Sequence, residues 1–236
     1  MKVAQEEDLE KAKELEEKRA REEEQKEENI FNNYLKNKIE ILFFKFFFII
    51  YMTKYMHKKM NLFILSLDPK KIAEYMMDKH VSKILLEAVQ MLCSAKRLLD
   101  PEDEETCAQI YKLAHKNHPV TIWVRKSLAN FIWTLDLVEE LHQEWRYRYQ
   151  HPDTKFHKSY LMAQILRNNL PSFKKFEAQG LTPFALAMPD KYKTADPIES
   201  YRNYYMSEDK QRFATWHKRR GQPDWYEFTI DFYIYI

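Results

Sequence analysis

The chain has 236 residues, a formal net charge of +2 and only two glycines, Gly180 and Gly221. So few glycines argue against a phosphate-cradling glycine loop and against a turn-rich all-β fold, while 45% hydrophobic and 15% aromatic residues are ample for one substantial core. Cys93 and Cys107 fit neither a disulfide framework nor a metal-binding spacing, so an intracellular, reducing compartment is expected.

Residues 1–28 carry twelve acidic and seven basic side chains, a net of −5. They read as a charged, low-complexity segment, either disordered or a solvated single helix, with too few apolar residues for a coiled-coil seam. The remaining 208 residues then hold +7, a mildly basic body that suits a polyanionic partner. The stretch ILFFKFFFIIYM, Ile41 to Met52, falls short of the roughly 20 apolar residues a membrane span needs, and Lys45 interrupts it. It reads as a membrane-surface helix or as translated upstream sequence with Met60 as the working start, and no stable membrane insertion is expected. Residues 1–59 thus form an extension, 60–228 a helical domain, and 229–236 an apolar tail.

Asn61 to Leu67 is a short apolar run, expected as a strand or an extended segment. Asp68-Pro69 is a helix cap and first turn. YMMDKHVSKILLEAVQMLCSA, Tyr75 to Ala95, reads as an amphipathic helix whose apolar face is Val81, Ile84, Leu85, Ala88, Met91, Leu92 and Ala95. His80 and Glu87 lie two turns apart, about 20° from each other around the axis, at the edge of that face. A break at DPEDEE precedes a short helix, Thr106 to Ala114, and HKNHP is a loop because Pro119 pushes His118 out of helical geometry. Residues 120–149 are expected as the longest helix, with Ile122, Leu128, Phe131, Ile132, Leu135 and Val138 on its core face. HKSYLMAQILRNNLP is a further helix ending before Pro171, GLTPFALAMPDKYK a proline-punctuated loop, and DPIESYRNYYMSEDKQRFATW one last helix before the basic HKRRGQPDWY. The class is mainly α, a single compact helical domain with a short extended N-terminal segment.

Three constellations could carry chemistry. Asp78, His80 and Glu87 share one helix edge and could do acid–base work, or else Asp78 is an N-cap and the others are solvated. His115 and His118, with His80, could bind a transition metal, but no HExxH or CxxC accompanies them and a turn with imidazoles bonded to backbone competes. Cations lie among aromatics in WVRK (Trp123, Arg125, Lys126), EWRYRY (Trp145, Arg146, Arg148), KYK (Lys191, Lys193) and WHKRR (Trp216, Lys218, Arg219, Arg220). Cations neutralise phosphates and aromatic faces stack on bases, so together they favour nucleic acid; the competing reading is core tryptophans with solvated cations.

From Met60 onward, the order of the DKH helix, the HKNHP turn, the AMPD-YK loop and QPDWY resembles, distantly, the phage-type pyrimidine-dimer DNA glycosylase/AP-lyase family, through a branch of phage and large-virus proteins. In that family a D-x-H at a helix start is followed, seven residues after the His, by the catalytic Glu; Asp78, His80 and Glu87 match. The resemblance implies an all-helical fold, a damaged or modified DNA duplex as partner, and no metal or small-molecule cofactor. It implies that Glu87 stabilises a cationic transition state, that His80 orients sugar or phosphate, and that Trp225 and Tyr226 stack in the gap of distorted DNA. The family's nucleophile is the α-amine of a processed N-terminal residue, here Met60 or Asn61 if translation starts there, with Lys79 and Lys83 as fallbacks. The chain departs from the pattern in three places: 59 residues precede Met60, about twenty residues separate Met60 from His80, and Leu86 stands where the family has Arg. Two alternatives stay open: a metal-assisted hydrolase or nucleotide-modifying enzyme using His80, His115 and His118, and a non-catalytic DNA-binding or assembly protein.

Overall fold

The computed structural model describes residues 60–228, with Gln25, Leu35, Lys36 and Lys38 before them. The expectations for the charged segment, the Phe-rich stretch and the tail 229–236 lie outside the described residues. The chain divides into two units, Met1–Lys59 and Met60–Ile236. The second is mainly helical, with eight α-helices and no β-strand among the described residues; an isolated bridge joins Ser127 and Ala178. The helices are α1 Pro69–Tyr75, α2 Asp78–Leu99, α3 Glu104–Gln109, α4 Pro119–Lys126, α5 Leu128–Tyr149, α6 Lys158–Asn168, α7 Pro197–Tyr205 and α8 Glu208–Gln211. Among them, no helix is long and apolar enough to cross a membrane.

Helix α2 is the centre of the fold, packed by α4, α5 and α6. Its expected face from Val81 to Ala95 is buried throughout, and so are Asp78, His80, Glu87, Val89, Cys93 and Lys96 on its other sides. An amphipathic pattern therefore understates how deeply this helix lies. The polar edge that carries His80 and Glu87 is interior, because the extended segment 60–67 lies over it, with Leu62, Ile64 and Leu65 in the core.

Four expected helices have different bounds, each for a local reason. The run from 120 to 149 is two helices, broken where Ser127 is extended (φ −140°, ψ 155°) and its Oγ accepts from Asn130 N to cap α5. Asn130 holds the break by donating through Nδ2 to Trp123 O (2.7 Å) and Thr182 Oγ1 (2.7 Å). The break resets the register, so Ile122 is 43% exposed while Trp123 and Val124 are buried. The Thr106–Ala114 helix is shifted to Glu104–Gln109: Asp103 caps its start, and Arg97 absorbs the carbonyls of Cys107, Ile110 and Tyr111 at its end. The last helix is α7 and α8, parted at Met206 and Ser207.

The fourth difference lies between α1 and α2, where Met76 and Met77 leave the helical path. Arg148 causes it. Its side chain is fully buried, and its five N–H groups have five acceptors: Nε gives to Glu144 Oε1 (2.5 Å), Nη1 to Met76 O (2.7 Å) and Asp78 Oδ1 (3.1 Å), and Nη2 to Ala73 O (3.3 Å) and Glu74 O (2.9 Å). Trp216 Nε1 takes Tyr75 O at 3.0 Å. Side chains thus satisfy the carbonyls that end α1, and α2 can start in a new direction. Asp78 is not the expected N-cap but the first residue of α2. Its Oδ2 accepts from Thr215 Oγ1 and His217 N, which binds the C-terminal segment to the same point.

Replacing Arg148 by Ala should leave the Asp78 and Glu144 carboxylates and three carbonyls buried around a void. Such a loss costs about 3–5 kcal/mol. Chemical denaturation at pH 7 should show it, with Arg219→Ala, on the surface, changing stability by less than about 0.5 kcal/mol. A loss below about 1 kcal/mol for Arg148→Ala would mean that water or a neighbour replaces the guanidinium.

Candidate active site

The extended segment is shaped by its own polar residue. Asn61 Oδ1 accepts from Leu62 N (2.9 Å) and Phe63 N (3.2 Å), and its Nδ2 donates to Ala187 O (2.9 Å). This turn places Phe63 in the left-handed region, φ 48°, at a cost that the buried contacts of its ring offset. With its side chain occupied, Asn61 presents its main-chain nitrogen to α2. That nitrogen donates to Glu87 Oε2 at 3.1 Å, and both residues are 1% exposed.

The second oxygen of Glu87 is less well served. Oε1 is 3.3 Å from Lys83 Nζ, an ion pair across one helical turn, yet it lacks hydrogen-bond geometry and has no other partner among the described residues. Lysine before glutamate is also the weaker order for such a pair on a helix. The Lys83 side chain is 38% exposed, so it links a buried carboxylate to the surface. A carboxylate held this deep with one unfilled acceptor is costly for structure alone and suited to a donor or a cation that comes and goes.

His80 sits under Phe63, ring stacked on ring at 5.0 Å, with Phe213 edge-on at 5.4 Å. The Tyr205 hydroxyl accepts from Met77 N (2.8 Å) and lies 2.8 Å from His80 Nδ1, within hydrogen-bond reach, and 3.5 Å from Met76 Sδ. Burial, then the charges of Lys210 and Lys83, hold this imidazole well below its ordinary 6.5. The expectation that His80 touches sugar or phosphate is corrected: it is buried, bonded to Tyr205, and supports the segment that carries Asn61. Tyr205 gave no signal as a lone residue. The sequence reading missed it; the spacing of Tyr201, Tyr204 and Tyr205 on one face of α7 could have marked a buried aromatic stripe, in which Tyr201 donates to Ala185 O (2.6 Å) and braces the loop that receives Asn61.

The histidine pair belongs to a turn. His118 Nδ1 accepts from Val120 N and caps α4, and His115, with φ 49°, is exposed and accepts from His118 N through its carbonyl. Among the described residues no three His, Cys, Asp or Glu side chains are grouped to hold a metal ion. Cys93 and Cys107 are free and buried, and burial pushes the Cys93 thiol up to about 12.

Several residues expected on a DNA face have structural partners instead. Arg148 is corrected outright, since no phosphate reaches it. Arg220 binds both oxygens of Glu144 (2.9 and 2.8 Å); burial raises the Glu144 carboxyl, but Arg220 and Arg148 outweigh it and hold the group below its ordinary range. Arg125 donates to Lys116 O, Arg146 pairs with Asp153, and Lys193 pairs with Asp190. Arg219 lies over Tyr147 at 4.4 Å, Lys218 over Tyr149 at 4.9 Å and Lys191 over Tyr192 at 4.8 Å; Lys126 is exposed. Arg146 and Arg219 do meet, in a surface groove of about 500 Å³ with Gln143, Tyr147 and His151. A second groove lies against Arg97, Cys107 and Ile110. Neither is lined by Glu87 or Asn61. Tyr226 is also corrected: it is 2% exposed and packs on Trp216 at 4.7 Å. Trp225 is partly buried, edge-on to Tyr75, with the Arg202 guanidinium 4.8 Å from its ring centre. Both fasten the C-terminal segment to the core.

Comparison of the chain with models of protein families, with curated proteins and with solved structures returns no match.

His80 makes stability pH-dependent. The unfolded chain takes up its proton near pH 6.5 and the folded chain does not, so stability falls as pH drops below 6.5. His142, buried on α5 with both ring nitrogens unpartnered and held down to about 4 by burial and then by Arg146, adds to the same loss. Glutamine at position 80 can still hydrogen-bond the Tyr205 hydroxyl, as donor or acceptor, but does not titrate. His80→Gln should lower stability at pH 7 by about 1–2 kcal/mol and flatten the decline between pH 6.5 and about 5. Thermal melts across that range decide it; an unchanged slope would place the acid sensitivity elsewhere.

Proposed function

We propose that this chain is a DNA-processing enzyme of the glycosylase/AP-lyase type, acting through an amine at residue 61 and the Glu87 carboxylate. One observation carries the reading: the residue 61 nitrogen lies 3.1 Å from Glu87 Oε2, across 26 positions of sequence and inside the core. The matching D-x-H and Glu spacing of Asp78, His80 and Glu87 supports it. In the continuous chain that nitrogen is an amide, whose lone pair is delocalised into the carbonyl of Met60. In a chain released at Asn61 it is an α-amine, with an ordinary pKa of about 7.7–8, held by the same carboxylate. Loss of Met60, which is buried, also opens space beside the pair.

The chemistry then runs through these two groups. The amine lone pair forms a bond to the sugar C1′ while the bond from C1′ to the base breaks, and the base leaves with the electron pair and takes up a proton. Glu87 accepts the proton that the amine sheds and, while ionised, stabilises the positive charge on the sugar. The nitrogen lone pair then forms the C=N bond to C1′ as the C1′–O4′ bond breaks, and O4′ takes the proton that Glu87 had accepted, which leaves a protonated imine between residue 61 and C1′ and an ionised Glu87. At an abasic site the same amine condenses with the free aldehyde and releases water. Loss of a C2′ proton from the imine then expels the 3′ phosphate.

The test is borohydride trapping on a duplex carrying an abasic site, with a chain released at Asn61 and with the chain from Met1. The released chain should give a covalent adduct and the continuous chain none. Glu87→Gln keeps an acceptor for residue 61 but lacks the charge, so it should fold normally and lose about 10²–10³-fold in rate. Absence of an adduct from both chains would overturn the proposal, as would a Glu87→Gln rate within a few-fold of the parent.

A further inference from the structure

Three lysines, Lys79, Lys83 and Lys210, lie beside the residues that pack on His80 and Glu87. Lys79 and Lys83 are one turn apart on α2, about 6 Å along the axis, so they share a face. Lys210 comes from α8, and the Lys79 and Lys210 ammonium groups lie 5.7 and 5.9 Å from the centre of the same Phe213 ring. Lys210 also lies 5.1 Å from the rings of Phe63 and Tyr204. Lys83 connects this group to the buried carboxylate at 3.3 Å.

Lys79 and Lys210, two like charges beside one ring, repel each other, and cation–π attraction at an exposed site is only about 0.5–1 kcal/mol. Their field reaches the interior, since Lys210 and Lys83 both press the His80 imidazole towards its neutral form. The lysines are spread along a face instead of converging on one point, which suits a row of anions and not a single small one. Lysine is also suited to this place: a point charge on a flexible stem follows a moving phosphate, whereas the buried arginines are locked in fixed forks.

We propose that Lys79, Lys83 and Lys210 form the rim that takes the phosphodiester backbone of DNA on either side of the sugar delivered to Glu87. This rests on the function proposed above. It assigns the backbone contacts to the end of α2 that carries the carboxylate and to α8, and not to the arginines at the end of α5. Each lysine neutralises one phosphate and releases its condensed counterions, which makes affinity depend on salt and not on base sequence.

The test uses the full chain and a duplex with a chemically reduced abasic site, with affinity measured by fluorescence anisotropy between about 50 and 200 mM salt. Lys79→Ala, Lys83→Ala and Lys210→Ala should each flatten the plot of log K against log salt by about 0.9, and all three together by two to three units. Lys112→Ala, an exposed cation near the far end of α2, should leave the slope unchanged. Unchanged slopes for the three rim variants, or equal flattening by Lys112→Ala, overturn the rim. Imine trapping run in parallel separates the two proposals: an adduct with unchanged slopes sinks the rim alone. Flattened slopes with no adduct from any chain uphold the rim as a binding face and sink the imine chemistry.

Discussion

A single guanidinium decides how this domain is put together. Arg148 is the last strongly basic residue of α5, and on an isolated helix it would lie in solvent. Here it is buried, with three backbone carbonyls and two carboxylates around it. A cation in that position is tolerable because its five donors are all engaged and two of its partners are negative. Its placement ends α1, frees α2 to leave in a new direction, and draws Asp78 into contact with the C-terminal segment at Thr215 and His217. Glu144 extends the cluster to Arg220.

The direction of α2 set at Asp78 determines what becomes of His80 and Glu87. Both are turned under the extended segment, His80 beneath Phe63 and Glu87 beneath Asn61. Their environments then diverge. His80 has a saturated Nδ1, aromatic walls and two nearby cations, which keep it neutral. Glu87 has a main-chain donor on one oxygen and an ill-aligned lysine on the other. The first arrangement is complete without any ligand. The second is an incomplete polar network in the core, and the proposed chemistry rests on that unfilled position.

The basic residues divide by the same physics. Arginine, with a planar fork and weaker hydration, is taken into the structure, as Arg97, Arg148 and Arg220 show. Lysines stay nearer the surface where a flexible stem costs less, Lys96 excepted, which is buried between Asp100 and Asp103. Counting cations beside aromatics therefore overestimated how many of these residues lie at the surface. Trp216, Tyr226 and Arg148 are the densest part of that pattern and are interior.

The amino-acid sequence alone determined the helical class, the apolar face of α2, the proline-started helices at Pro69 and Pro197, and the pairing of His80 with Glu87 on one side of a helix. These depend on periodicity and on local capping, which act over a few residues. The break at Ser127, the end of α1, the burial of Arg148 and Tyr226, and the approach of Asn61 to Glu87 were decided by tertiary structure. Each rests on a partner tens of residues away: Ser127 on Ala178, α1 on Arg148, Tyr226 on Trp216 lying against Tyr75, and Asn61 on Ala187 and Glu87. A helix pattern records which residues share a face but not what will cover it. The polar edge of α2 is interior and not a solvated margin because the segment that covers it brings a backbone nitrogen to a carboxylate.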